Sequence, residues 1–310
     1  MSSPVFLRAN YSDLFGSSML PALEELFRYE LEQHASKREM LFKVVPTERD
    51  IWQTTDLHDM PLFAEVPEGT DYTFSRPRQG ANKTLTVVKY GLGFSISEEA
   101  VDDGKFDFIA DAVRKMAKSA KESQEISAMN ILNNGFSTAT VNDGLSLFNT
   151  AHTLPSGLTF RNRPSSEVDL SVSSLESALV DFETQFIGDS GIIYAPKPKF
   201  LVVHPTLKRY AMELIGSDLK ADVMDNNMNS LKQDGLMVLS SPHISDVDSW
   251  FLIADPMDNG LRIVSRKPIE TKAAGGDAGF VNDSILYKSR YREIVAAIRP
   301  HGVWGTTGAG

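Results

Sequence analysis

Six histidines, His34, His58, His152, His204, His243 and His301, are the first candidates for metal ligation or proton transfer. No two stand at metal-ligand spacing on one predicted helix or strand. His204 and His243 each sit beside a proline at the end of a predicted strand, where a ring nitrogen most often satisfies local backbone. Cysteine is absent, which removes disulfides, thiolate nucleophiles and thiolate metal sites. Gly91-Leu92-Gly93 lacks the third glycine and the strand-to-helix setting of a dinucleotide loop. No phosphate-binding Walker loop or nucleophile elbow occurs. Asp222, Asp225 and Asp234 miss the spacing and terminal glutamate of a calcium loop. Ser/His/Asp sets can be drawn from any chain of this size and carry no information by themselves. Arg290, Arg292 and Arg299 could hold phosphate, but alternation puts Arg290 and Arg292 on one strand face, where interface salt bridges are the preferred reading. The pattern points away from an enzyme and from a bound metal or cofactor.

The elements around these residues are more telling. Thr84 to Phe94 reads as strand, and an uninterrupted helical pattern follows from Phe106 to Asn133. Its apolar residues Phe106, Ile109, Val113, Met116, Ala117 and Ala120 form one stripe, which shifts to Ile126, Met129 and Leu132 after Gln124. Asn133-Asn134-Gly135 is a stop signal. Upstream, residues 59–89 resemble one long open hairpin without a core, with strand-like runs at Leu62–Val66 and Tyr72–Phe74 and prolines at 61, 67 and 77. A two-stranded ribbon is marginal in water unless something covers it, and loops this long are usually functional or disordered. An intersubunit role is therefore expected.

The N-terminal stretch predicts a loose end at residues 1–11. A helix capped by Ser12 or Ser18 follows, carrying Leu14, Phe15, Met19, Leu23, Leu26 and Phe27 and fading near Gln33. Beyond residue 135 the chain is loop-rich. Ser171 or Ser173 then opens a helix, with Glu176 at capping-box spacing from Ser173. Lys199–Pro205 reads as a buried strand, Thr206–Ile215 as helix, and 236–239, 250–254 and 261–264 as strands. Residues 280–304 look extended, and Thr306–Gly310 looks like a frayed tail.

Composition adds bounds. The chain has 310 residues, 42% apolar and 23% charged, ample for a core in one or two domains. No run of roughly 18 apolar residues suggests a membrane span, and Met1–Phe6 lacks signal-peptide character. The net charge of −10 argues against a broad basic face for nucleic acid.

The order of these pieces resembles the major capsid proteins of tailed bacteriophages, with the Hong Kong 97-like fold, and most closely the Mu-like major head subunits. Leu20–Phe27 is similar to their N-terminal arm. Gly93-Phe94-Ser95-Ile96-Ser97-Glu98-Glu99 with Asp102-Asp103 is similar to the junction between extended loop and spine helix. Asp143–Phe148 with His152 resembles the loop after that helix. Phe200–Pro205 resembles the strand-to-helix start of the axial domain, and Tyr287–Arg292 through Ala296–Pro300 the final strand.

The resemblance implies an α+β fold with an N-terminal arm at 1–48 and an extended β-hairpin loop at 49–92. A peripheral domain takes 93–168 plus 288–310, with a spine helix at 105–134, and an axial domain takes 169–287. It implies pentamers and hexamers in an icosahedral shell around double-stranded DNA, held without sequence-specific binding or a membrane. It also implies a virion location after synthesis in the host bacterial cytoplasm. Expected partners are copies of the chain, a portal, possibly a decoration protein, and a separate scaffolding protein, since the arm starts almost at Met1. Intersubunit contacts are expected at Phe74, Arg76, Arg78 and Lys83 on the ribbon, at Glu98, Glu99, Asp102 and Asp103 near the spine helix start, and at Leu23 and Phe27 of the arm. Lys83 is also the residue to consider for a covalent crosslink to a neighbour's asparagine, though a solvated lysine is the preferred reading. The alternatives are an encapsulin-type nanocompartment shell and, in another class, a phage-associated hydrolase.

Overall fold

A computed structural model describes residues 19–57, 59–72, 74–76, 79–97, 99, 103, 105–138, 141–217, 230–274 and 284–309. The chain divides into two compact units, one of residues 1–36, 87–126 and 265–294, the other of 37–86, 127–264 and 295–310.

The first unit holds a helix pair and three segments of one sheet, residues 265–274, 284–294 and 88–97 in that spatial order. Helix α1 spans Met19–Gln33 and ends where the sequence predicted. The beginning predicted for it, with Leu14 and Phe15, lies outside the described residues, as does the loose end at 1–11. After a short helical turn, α2 (Arg38–Leu41), come β1 (Lys43–Pro46), β2 (Ile51–Leu57), β3 (Gln79–Thr86), β4 (Val88–Ser97) and the long helix α3 (Phe106–Asn133). The expected single run from Thr84 to Phe94 is therefore two strands. Val87 interrupts them, and its side chain is buried.

In the first unit Leu23, Leu26 and Phe27 of α1 meet Ile109, Val113, Met116 and Ala117 of α3, over Ile96 of β4. Spacings of three and four put each set on one helix face, so each helix buries a single stripe. Tyr287 joins this cluster from strand β11 (Ser284–Ala297), which pairs antiparallel with β4 from Ser284↔Ser97 to Glu293↔Val88. Polar ties fix the helix to the strand. Gln124 Nε2 donates to Glu293 Oε2 at 3.1 Å, both buried, and the Ser123 and Tyr291 hydroxyls lie 2.9 Å apart. The exposed side carries the expected Asp111–Lys115 pair at 3.0 Å.

The last turns of α3 belong to the second unit, where Ala128, Met129 and Leu132 are buried. Ile126, expected in the shifted stripe, is exposed; Ala128 takes the inward position. Later elements are the short pair β5 (His152–Thr153) and β6 (Thr159–Phe160), α4 (Val172–Thr184), β7 (Pro198–Val203), α5 (Lys208–Gly216), β8 (Met237–Ser240), β9 (Trp250–Ala254), β10 (Leu261–Ala274), β11 (Ser284–Ala297) and β12 (Val303–Thr306). The predicted strand at 261–264 is only the start of β10. Beyond it Arg266, Lys267 and Pro268 break the apolar pattern that marked the strand in sequence.

The second unit centres on a sheet of order β12-β9-β7-β8, with β7 parallel to β8 and antiparallel to β9. Both faces are covered, so the sequence runs Phe200–Val203 and Trp250–Ala254 are apolar without alternation. Phe200, Val202, Phe251, Ile253 and Val303 enter one core with α3's last turns, Leu147 and Phe148. Leu201, Val203, Trp250, Leu252 and Trp304 enter the other with α4 and α5. Helix α4 is capped by Ser171 with Ser174 in a reciprocal box, not by Ser173 with Glu176.

The chain end is docked, against the expectation of fraying. Glu167 Oε2 accepts from the Thr306 hydroxyl (2.7 Å), the Thr307 N–H (2.8 Å) and the Thr307 hydroxyl (2.9 Å). Asp169 Oδ1 accepts from the Ala309 N–H at 2.8 Å. Pairing of β12 with β9 places Thr306 there, a nonlocal cause invisible to local composition.

Candidate assembly surface

The ribbon grows from residues that favour extended backbone but cannot bury themselves. β2 and β3 pair antiparallel from Ile51↔Thr86 to Leu57↔Gln79, with a register shift between Thr55 and Leu57. The Thr55 hydroxyl donates to Asn82 Oδ1 at 2.6 Å. Beyond this root the predicted strands at 62–66 and 72–74 do not form among the described residues. Pro61 and Pro67 remove ladder donors, and among the described residues no third strand pairs there. The tip closes in a tight turn. Thr70 N–H donates to Pro67 O at 3.1 Å, and Gly69 has φ +85°, the positive value that the third position of a type II turn requires.

Between root and tip, large apolar side chains stand in the open. Phe63 is fully exposed, Phe74 is 91% exposed, Leu62 76% and Tyr72 74%. So many large apolar side chains exposed on one segment are uncommon on a protein that works alone.

Among the sequence-predicted contacts, Phe74 and Arg76 are exposed and Arg76 makes no ion pair with a described residue. Arg78, Glu98 and Asp102 lie outside the described residues. Lys83 is not solvated. Its Nζ donates to Ala297 O at 2.8 Å, and desolvation lowers its pKa, partly opposed by Asp143. Glu99 is exposed and its carbonyl accepts from Asp103 N–H at 2.8 Å; Asp103 pairs with Lys105 at 3.1 Å. Leu23 and Phe27 are buried against α3 and β4 of their own chain, 4% and 3% exposed, rather than standing on its surface. Sequence showed an amphipathic stripe there but not what it faced.

The nearest approach to acid–base chemistry is His152, buried and stacked on Phe160 at 5.1 Å. Its Nδ1 meets Asp143 Oδ2, and its Nε2 lies 3.2 Å from Asn162 Oδ1. Asn162 donates to Leu147 O (2.7 Å) and Pro300 O (3.2 Å) and accepts from Asn149 N–H (2.8 Å). Burial works to raise the Asp143 pKa, but hydrogen bonds from His152 and the Leu145 N–H outweigh it and hold the carboxyl below its ordinary value. Each polar atom joins one loop to another, which makes the group a structural knot. His204 behaves as predicted, its Nδ1 accepting from the Thr206 N–H at 3.3 Å. Arg290 pairs with its own Glu270 at 2.7 Å, so it is not a free interface cation.

These features define a class: an α+β protein with a spine helix, a sheet-centred body and an uncovered ribbon. The same fold occurs in the capsid of cyanophage P-SCSP1u (TM-score 0.60, 12% identity, 89% of each chain covered). It occurs also in a virus-like particle from Pyrococcus furiosus (TM-score 0.57, 12% identity, 93% of this chain and 99% of that one). A chain of Mycobacterium phage Adephagia matches with TM-score 0.56 and 15% identity over 99% of each chain. The fold is thus the Hong Kong 97-like capsid fold. None of the curated proteins matches at a significant level. The sequence profile of phage capsid proteins matches residues 81–305, and the chain belongs to that family. The Mu-like affinity rests on the sequence resemblance alone.

Proposed function

We propose that the chain is the major capsid subunit of a tailed bacteriophage, assembling as pentamers and hexamers into the icosahedral shell around double-stranded DNA. Membership of the phage capsid family supports this. The observation that carries the assembly role is the exposure of Leu62, Phe63, Tyr72 and Phe74 on a ribbon that the described residues leave uncovered. A neighbouring copy that covers it would supply the burial that the subunit lacks.

In this reading 1–48 is the arm and 49–92 the extended loop. Residues 93–168 with 288–310 form the peripheral domain, and 169–287 the axial domain. Phe74, Arg76, Arg78, Glu98, Glu99, Asp102 and Asp103 remain candidate intersubunit contacts. A scaffolding protein, a portal and a decoration protein are the partners to seek, in a virion made in the host cytoplasm. No catalytic role is assigned.

Electron microscopy of the full-length chain, alone and with candidate scaffolds, tests the shell. Deleting Glu68–Gln79 should leave a folded subunit that forms no closed shell; normal shells from that deletion would overturn the ribbon's role. Shells isolated from the native source should hold nuclease-protected DNA. Shells filled with a protein cargo would instead establish the nanocompartment reading.

A further inference from the structure

The β4–β11 pair of the first unit carries a charge pattern at odds with the chain's net charge of −10. Direct partners in the β4–β11 register share a face, so Lys89 stands beside Arg292, Gly91 beside Arg290 and Gly93 beside Lys288. Alternation puts Lys288, Arg290 and Arg292 in a row, about 6.6–6.8 Å apart. Arg290 reaches Glu270 of β10, and Glu270 is the acid that this row meets. Lys89 and Lys288 are exposed, and Arg290 and Arg292 are half-exposed. Like charges directly opposite repel, as Lys89 and Arg292 do here, and Arg292 Nε is shielded from water without a hydrogen-bond partner. An anion would relieve both.

β4 is also the end strand of its sheet, and among the described residues no strand pairs with its outer side. Gly91 and Gly93 have no positive φ that would demand glycine. Their effect is spatial: a Cβ at Gly93 would stand 3.2 Å from the Lys288 Cβ, so the glycine leaves that face of β4 open beside Lys288, whereas Arg290 turns the other way, to β10. Only a polypeptide can use both features at once. An added strand pairs with the edge N–H and C=O groups, and its alternate side chains match the spacing of the cation row. A nucleic acid could use the cations but not the edge.

We propose that the β4 edge, with the cations Lys89, Lys288 and Arg292, docks an extended acidic segment of another protein, which adds as a strand with carboxylates at alternate positions. This goes beyond the shell role and needs no assembled shell. Fluorescence anisotropy on the full-length chain tests it, with a short labelled peptide alternating glutamate and valine as probe. The peptide should bind, weakening as salt rises. The double variant Lys89→Glu/Lys288→Glu, both exposed positions, should weaken it about tenfold or more. The same peptide N-methylated at alternate amides keeps its charges but cannot pair with the edge, and should lose binding to a similar degree. Equal binding of the methylated peptide, or no binding of the parent, overturns the proposal. So does displacement of the peptide by duplex or single-stranded DNA that binds more tightly. Strong hydrogen-exchange protection of β4 in shells of this chain alone would show that a neighbouring copy fills the edge, and would overturn it as well.

Discussion

Phe251 and Phe63 are the same residue in two regions of one unit, and they end in opposite states. Phe251 sits on β9 between two covered sheet faces and is 1% exposed, packed against Phe148 at 5.3 Å. Phe63 stands free on the ribbon. The runs around them, Trp250–Ala254 and Leu62–Val66, are both short and apolar. What separates them is the neighbourhood: β9 has β7 and β12 as hydrogen-bonded neighbours, while residues 60–72 pair with no strand among the described residues. A short apolar run becomes a strand when its ladder and its faces are both satisfied. Where neither is satisfied within the chain, a second chain is the natural source.

The sharpest way to break this comparison is to remove an aromatic from each region. Phe182 is fully buried and meets Phe186 edge-on at 5.0 Å. Phe182→Ala should cost about 3–5 kcal/mol of subunit stability in urea unfolding, through the cavity it leaves. Phe63→Ser with Phe74→Ser should change the same unassembled subunit by less than about 0.5 kcal/mol, because both side chains are already in water. It should nevertheless prevent closed shells, as scored by sedimentation. A ribbon variant that loses as much subunit stability as the core variant would show that the ribbon folds back on its own chain.

A smaller effect probes the docked chain end. Burial opposes ionisation of Glu167, but hydrogen bonds from Thr306, Thr307 and Arg163 outweigh it and keep its pKa below the ordinary 4.5. A carboxyl depressed in the folded state stabilises above its unfolded pKa. That contribution is lost as pH falls through the lower folded value. The Thr306–Ala309 segment should therefore stay docked at neutral pH and loosen only below about pH 4.5. Glu167→Gln should loosen it at every pH and flatten that acid limb, read as amide exchange of Thr307. Exchange that is independent of pH in the wild-type chain would mean that Glu167 does not hold the end.

The parts that sequence made legible are those whose signal is local. The Phe106–Asn133 helix appears at the predicted bounds because its stripe and its stop signal lie within the segment. β9 likewise matches its apolar run. The misses share a nonlocal cause. Thr306–Ala309 reads as a frayed tail because Glu167, its anchor, lies some 140 residues earlier. Lys83 looks solvated because Ala297, its acceptor, is 214 residues away. Leu23 and Phe27 present a stripe that fits a neighbour or the home subunit equally well, and only packing decides between them. The ribbon was visible as a hairpin without a core, while its lack of strands beyond Leu57 depends on which partners are missing. The basic row on β11 was read as interface arginines; that Gly91 and Gly93 lie in register beside it needed the strand pairing.

The smallest expected effect concerns the charges of the ribbon. Arg76 is exposed and makes no ion pair with a described residue, so its charge is available to a neighbour. The acidic groups near the start of α3 are only partly free, since Asp103 already meets Lys105 at 3.1 Å while Glu99 is exposed. An exposed pair contributes about 0–1 kcal/mol and is screened by salt. The arginine Arg76→Glu/Arg78→Glu double variant should therefore leave subunit melting unchanged and shift the critical assembly concentration only a few-fold, by about 1 kcal/mol per contact at most. Repetition of the contact in every subunit is what would make so small a term measurable. The shift should shrink as salt rises, because the wild-type attraction is lost at high ionic strength along with the variant's repulsion. Assembly of the reversed ribbon at wild-type concentrations and with wild-type salt dependence would mean that Arg76 faces water in the shell, leaving the apolar run as the adhesive part of the ribbon.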